Sequence, residues 1–273
     1  MQHGQNPYID IHYTFNKKKV AEQHERCAAA FAHPLTYTLP PTRTPLPDIV
    51  FIANGGLSLP RLHRPLVLLP NMKYPQRQAE LPFLKAMYKH LGISTVEYPG
   101  SQPFEGQAEL KWFDGGRKAV CGYGHRSNKQ TFVELDRFFK KLYGPEAAPA
   151  LLVLPLISTD YYHLDVAMLE YDDARCIVHR GAFSPHSIRR LRAFLGAKHV
   201  TVLDTPDSFC LNAVVDGPNL ITHRLTDPAV KPLLEEVTGR RVIQVPTTEF
   251  ERSGGSVRCM TLDLFVGLGQ GPL

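Results

Sequence analysis

Apolar positions recur along this chain in two alternating rhythms. Short apolar runs that read as strands fall at Ile49–Leu59, Glu109–Gly122, His163–Val178, Phe209–Thr222 and Arg258–Val266. With Phe51, Leu110, Leu164, Leu211 and Met260 as markers, the runs repeat about every 47 to 59 residues, a period characteristic of arrays and propellers. Several fold back at turn signals: Phe113-Asp114-Gly115-Gly116, Tyr171-Asp172-Asp173 and Asp216-Gly217-Pro218-Asn219. Such pairs favour hairpins.

The second rhythm, with steps of three and four, predicts helices after most hairpins. Gln76–Leu91 carries Leu81, Leu84, Met87, Tyr88 and Leu91 and stops at Gly92. Ser127–Tyr143 carries Phe132, Leu135, Phe138, Phe139 and Leu142 and stops at Gly144. Ser184–Leu195 and Asp227–Val237 each place a proline at the first turn and a glycine beyond the end. Val20–Phe31 is a fifth helix. The regular alternation, with no glycine-rich phosphate loop after the first strand, disfavours a doubly wound parallel sheet. Five hairpin-and-helix units closed into a ring fit better, with hairpins near the axis and helices outside. Pro34–Pro47, five prolines in fourteen residues, reads as an extended linker from the first helix, and residues 1–273 as one domain.

Composition narrows the partners. The 273 residues are 43% hydrophobic, enough for a sizeable core, and the net charge of +5 is mild. Lys17-Lys18-Lys19 is the one dense basic run and reads as a solvated face, so no nucleic-acid partner is expected. No apolar run approaches the ~18 residues of a membrane span, and no signal-peptide pattern opens the chain. The five cysteines (27, 121, 176, 210 and 259) are odd in number, scattered and without CxxC pairs. Neither a disulfide framework nor a zinc site is expected, and the reading is a soluble cytoplasmic protein.

Chemistry concentrates in three segments. Gly254-Gly255-Ser256-Val257-Arg258-Cys259-Met260 presents a thiol where an apolar run emerges from a flexible turn. Phe104-Glu105-Gly106-Gln107-Ala108-Glu109 and Tyr162-His163-Leu164-Asp165 lie upstream, so carboxylate, imidazole and thiol follow in that order. A lone cysteine is more often inert core, and a lone histidine more often packing; their company changes the reading. Strand alternation would put His163 and Asp165 on one face with Leu164 in the core, and would turn Arg258 away from its neighbour Cys259.

These segments, with the five-fold repeat, resemble the guanidine-modifying enzyme superfamily, the penteins, over nearly the whole chain. The resemblance implies a five-bladed α/β propeller with its active site at the centre. It implies that Cys259 is the nucleophile, His163 the general acid/base and Glu105 the carboxylate that orients the histidine, with Glu109 as the rival acid. Asp165 would hold the substrate guanidinium from the other side, since facing carboxylates suit its planar N–H donors. Arg126, in Tyr123-Gly124-His125-Arg126-Ser127-Asn128, matches an arginine that binds an α-carboxylate in relatives, and Arg77 is a weaker candidate for substrate contact. Phe51-Ile52-Ala53-Asn54-Gly55-Gly56 departs from the pattern: many guanidine hydrolases have an aspartate where this chain has Asn54. An amide brings no charge, and succinylarginine dihydrolases show a similar Ala-Asn pattern. Asn212, in Cys210-Leu211-Asn212-Ala213, repeats that pattern and reads as a structural amide.

The implied activity is hydrolysis of the guanidino group of arginine or a methylarginine-like derivative, through a covalent S-alkylthiouronium, to citrulline or a related ureido product. Amidino transfer to an amine and hydrolysis of citrulline stand as alternatives, and a catalytically silent binding module as a third. Thiol and imidazole supply the chemistry, so no metal or organic cofactor is expected. The partner is a small guanidino substrate, and the resemblance makes a homodimer reasonable.

Overall fold

The computed structural model describes residues 7–9 and 13–265. The chain divides into two compact units, Met1–Thr36 with Ile157–Met260 and Tyr37–Leu156 with Thr261–Leu273. The first unit opens with α1 (Lys17–Ala28), capped where the Asn16 side chain accepts from the Lys19 N–H. The proline-rich stretch 34–47, where one unit gives way to the other, contains no helix or strand.

In the second unit, β1 (Leu57–Ser58) and β2 (Leu66–Leu68) pair antiparallel. Helices α2 (Pro75–Gln78) and α3 (Leu81–His90) lead to β3 (Ser94–Val96), which lies parallel to β2. The helix expected over Gln76–Leu91 is thus broken in two. Pro82, in the first turn of α3, has no N–H with which to continue the ladder. A second sheet repeats the plan: β4 (Leu110–Phe113) and β5 (Lys118–Tyr123) form a hairpin in the register Leu110↔Cys121. Helix α4 (Lys129–Tyr143) then returns to β6 (Ala150–Pro155), parallel to β5. A capping box between Asn128 and Thr131 starts α4, and its Phe132, Leu135 and Phe139 bury against Leu57, Leu68, Phe104 and Leu110.

The rest of the first unit runs the plan twice more. After the one-turn α5 (Leu164–Ala167), β7 (Met168–Glu170) pairs antiparallel with β8 (Cys176–His179). Helix α6 (Pro185–Leu195), capped by Ser184, carries the chain to β9 (Val200–Leu203), parallel to β8. Then β10 (Val214–Asp216) and β11 (Asn219–His223) form a hairpin, and α7 (Val230–Thr238) leads to β12 (Arg241–Val245), parallel to β11. Leu169, Ile177, Leu211, Leu220 and Leu234 form the core beneath these two sheets. Helix α8 (Thr248–Glu251) precedes the glycine pair.

Four repeats therefore carry the expected hairpin, helix and parallel third strand. The fifth departs from expectation. Val257–Met260 is a turn, and the described residues 261–265 hold only an isolated bridge at Phe265. No helix among the described residues is long and apolar enough to cross a membrane.

Candidate active site

The segments carrying Asn54, Glu105, His163 and Asp165 lie just before their hairpins, on tight turns. Ile52–Gly55 and Gly106–Glu109 are single 3-10 turns, and Leu164–Ala167 is a single α turn. Residues 208–211 and 257–260 are hydrogen-bonded turns. The strand expected to begin at His163 begins at Met168, and that expected to begin near Cys259 is a turn. A helical turn and a short strand present similar apolar content over four residues, so alternation misplaced both.

In the second unit, Glu105 is fully buried at the N-cap of its 3-10 turn. Gly106 follows at φ +65°, so the chain folds tightly enough for the Gln107 N–H to reach the Gly56 carbonyl at 2.9 Å. One carboxylate oxygen of Glu105 accepts from the Lys73 N–H (3.2 Å), and the other meets Nη1 of Arg126 (3.0 Å). The Arg126 guanidinium lies 5.0 Å from the Tyr74 ring centroid. Sequence reading made Arg126 a binder of substrate carboxylate; in this structure it is buried on Glu105. Glu109 accepts from the Glu105 N–H at 3.0 Å. Burial and then the Glu105 charge push its carboxyl up to about 8. Burial therefore favours the protonated form of Glu109.

Arg77 and Asn54 form a closed network in the same unit. Arg77 grips Glu80 with Nε and Nη2, both at 2.9 Å, and gives Nη1 to the Asn54 side-chain oxygen at 2.7 Å. Its Nη2 also meets the Asp48 carbonyl at 3.0 Å. Each nitrogen of this candidate substrate contact therefore has a protein partner. The Asn54 Nδ2 donates to the Glu105 carbonyl at 3.4 Å, tying the first repeat's turn to the second's.

In the first unit, Cys259 is buried and its Sγ lies 3.5 Å from Oδ2 of Asp165, the thiol donating. Burial pushes the Cys259 thiol far up and the Asp165 carboxylate pushes it further, against hydrogen bonds from Asn212 and the Ser256 backbone. His163 stands in extended backbone at the N-cap of α5, two residues before Asp165, and its ring lies 4.9 Å from that of Tyr162. Both His163 and Asp165 are buried. Tyr162 in turn donates its hydroxyl to the Gly254 carbonyl, fastening the histidine segment to the glycine pair before Cys259. Arg258, the neighbour of Cys259, forms a part-buried ion pair with Glu170 on β7.

No protein-family model matches the chain. It is 29% identical over 218 residues to the bifunctional arginine dihydrolase/ornithine cyclodeaminase ArgZ of Synechocystis sp., a match covering 79% of this chain but 29% of that protein. It is 27% identical over 226 residues to the dimethylarginine dimethylaminohydrolase of Mycobacterium tuberculosis, covering 80% of this chain and 67% of that one. The N-terminal domain of ArgZ, in a cysteine-to-serine variant bound to its substrate, superposes with a TM-score of 0.79 at 26% identity. That superposition covers 94% of this chain and 91% of the domain. The chain belongs to the pentein superfamily of guanidine-modifying enzymes. Its fold is the pentein α/β propeller, of which the four three-stranded sheets described above are repeats. Another structure of the ArgZ domain holds a covalently bound reaction intermediate, with a TM-score of 0.76 at 25% identity, covering 94% of each chain.

Two features of this pentein escaped the sequence. Asn212 contacts the thiol of Cys259 directly, with Nδ2 3.1 Å from Sγ. Its repetition of the Asn54 pattern was the available signal. His223 on β11 is buried between carboxylates, with Nε2 2.9 Å from Asp207 and Nδ1 3.5 Å from Glu251. These acids overcome burial and push the imidazole up to about 9. No motif links these three residues, which come from separate elements.

Proposed function

We propose that this chain is a cysteine-dependent hydrolase of the guanidino group of arginine or an arginine-like derivative, with residues 1–273 acting as one catalytic domain. His163 takes the Cys259 proton, and Sγ bonds to the guanidino carbon. The C–N bond to the departing amine breaks as His163 returns that proton to it, which leaves an S-alkylthiouronium. Water then gives a proton to His163 and its oxygen bonds to the same carbon. The S–C bond breaks with its electrons on sulfur, and a ureido product is released. Asp165 and Glu105 are the acids proposed for the guanidinium, Arg126 for a substrate carboxylate, and Asn54 and Arg77 for further substrate contact.

The observation that carries this reading is the burial of a thiol against the carboxylate of Asp165. Such a pair disfavours the thiolate until a cation arrives. A guanidinium is that cation, bringing charge to the acid and an electrophilic carbon to the sulfur. The dihydrolase named for ArgZ and the covalent intermediate held by its domain support the same chemistry. A second reading, in which the ureido carbon is hydrolysed again to leave an amine, is favoured by the uncharged Asn54 and by the word dihydrolase in that relative's name. The matched region is under a third of ArgZ, so its cyclodeaminase activity is not carried over.

The test is product analysis on arginine, methylarginines, agmatine and citrulline, with and without an acceptor amine, using Cys259→Ser as control. A ureido product lost in the variant supports single hydrolysis, and ornithine from arginine or citrulline supports the second reading. Turnover that needs the amine makes the chain an amidinotransferase. No turnover anywhere on the panel refutes the proposal.

A further inference from the structure

Asn212 reaches the candidate nucleophile in more ways than a packing amide needs. It sits in the fourth repeat's turn, fully buried. Its Oδ1 accepts from the Cys259 N–H at 3.2 Å, and its backbone carbonyl accepts from the Arg258 N–H at 3.3 Å. Its Nδ2 donates to the Asp165 carbonyl at 3.1 Å and points its other hydrogen at the Cys259 Sγ, also at 3.1 Å. One side chain therefore fixes the backbone of the nucleophile, the segment carrying its neighbouring acid, and the sulfur itself.

We propose that Asn212 is a catalytic residue of this enzyme: the neutral N–H donor that holds the Cys259 sulfur in place and stabilises its thiolate. The inference rests on Cys259 being the nucleophile. The chemistry favours an amide here. The sulfur must become an anion twice, once before attack and again when it leaves the thiouronium. Its other near side-chain partner, Asp165, is an acid that opposes both events. A cationic donor at position 212 would pair with Asp165 and compete with the substrate guanidinium. An amide donates without charge, and a hydrogen bond to an ion is stronger than one between neutral groups. Asn54 shows the same device without a sulfur: its Nδ2 donates to the carbonyl of Glu105 in the following repeat. The two asparagines that look alike in sequence each brace a neighbouring turn, and in the fourth repeat the braced residue is the thiol.

The test is the rate of iodoacetamide alkylation at Cys259 between pH 7 and 10, followed by peptide mass mapping so that the other four cysteines are scored separately. It needs no substrate, so it reads Asn212 even if the guanidine panel fails. Removing a thiolate-stabilising donor with Asn212→Ala slows alkylation about 10- to 100-fold at each pH and lowers kcat similarly, with KM little changed. Asn212→Asp retains Oδ1 for the Cys259 N–H but removes the donor, and slows alkylation at least as much. Thermal midpoints of both variants are measured alongside. A residue that only packs the turn gives the opposite sign: its loss loosens the turn, and alkylation of Cys259 becomes faster or stays the same. Either of those results in a folded Asn212→Asp or Asn212→Ala protein overturns the proposal.

Discussion

Replacing Gly106 by alanine isolates the strain that sets Glu105 in place. Gly106 has φ +65°, and a Cβ there would lie 2.5 Å from the Gly56 carbonyl oxygen and 2.9 Å from that of Ala53. Both are backbone atoms and cannot swing aside. Gly92, past the end of α3 in the same unit, has φ +69° and nothing within 4 Å of its would-be Cβ. The two substitutions share the left-handed penalty, about 1 kcal/mol. Only Gly106→Ala must also push the backbone of the Ile52–Gly55 turn and its cap Gly56 aside by several tenths of an ångström. That breaks the buried Gln107 N–H to Gly56 bond of 2.9 Å. A buried donor and acceptor left unmade add about 2–3 kcal/mol, so Gly106→Ala should cost about 3–4 kcal/mol against about 1 for Gly92→Ala. Urea unfolding of both variants measures the difference. Activity should fall further in Gly106→Ala, because Glu105 is the adjacent residue. Equal stabilities within about 0.5 kcal/mol would refute the argument that crowding, not backbone conformation alone, requires glycine here.

Burial raises Glu109 from 4.5 in the unfolded chain to about 8, so the folded state holds a proton the unfolded chain has lost. Its stability contribution is complete below about pH 4.5 and is lost as pH rises to about 8; Glu109→Gln should remove this slope, and pH-dependent urea unfolding checks it. His223, raised from 6.5 to about 9, likewise stabilises fully below about pH 6.5 and loses that contribution as pH rises through 9. His223→Gln should flatten stability between those values and destabilise at pH 6 by about 3 kcal/mol, because Asp207 loses its buried partner; thermal melts at the two pH values read both effects. Asp165→Asn removes the charge that opposes the thiolate, so Cys259 should alkylate faster at pH 8 by about tenfold while guanidine turnover collapses. Slower alkylation would contradict the electrostatic role given to Asp165.

The repeat, the helix positions and the order of Glu105, His163, Asp165 and Cys259 were all legible in the chain, because helix periodicity and turn residues are local signals. Local breaks were less so. Pro82 split a helix whose apolar spacing runs straight through it. The turns that carry His163 and Cys259 passed for strands, because four buried residues in a row look alike in either state. The partners of each charged group were invisible for a different reason. Arg126 with Glu105, Arg258 with Glu170, and His223 with Asp207 and Glu251 pair across separate elements. Only packing decides such matches. Asn212 shows the limit most clearly, since its repeat of the Asn54 motif was visible and its contact with the sulfur was not.

Peptide mass analysis of the protein, quenched while it is turning over the guanidine found in the product panel, tests nucleophilic attack by Cys259 most directly. An S-alkylthiouronium that retains the substrate's alkyl chain is expected on the peptide containing Cys259, absent from the peptides of Cys27, Cys121, Cys176 and Cys210, and absent from Cys259→Ser. Turnover that survives in Cys259→Ser, or an adduct on another cysteine, would contradict Cys259 as the nucleophile.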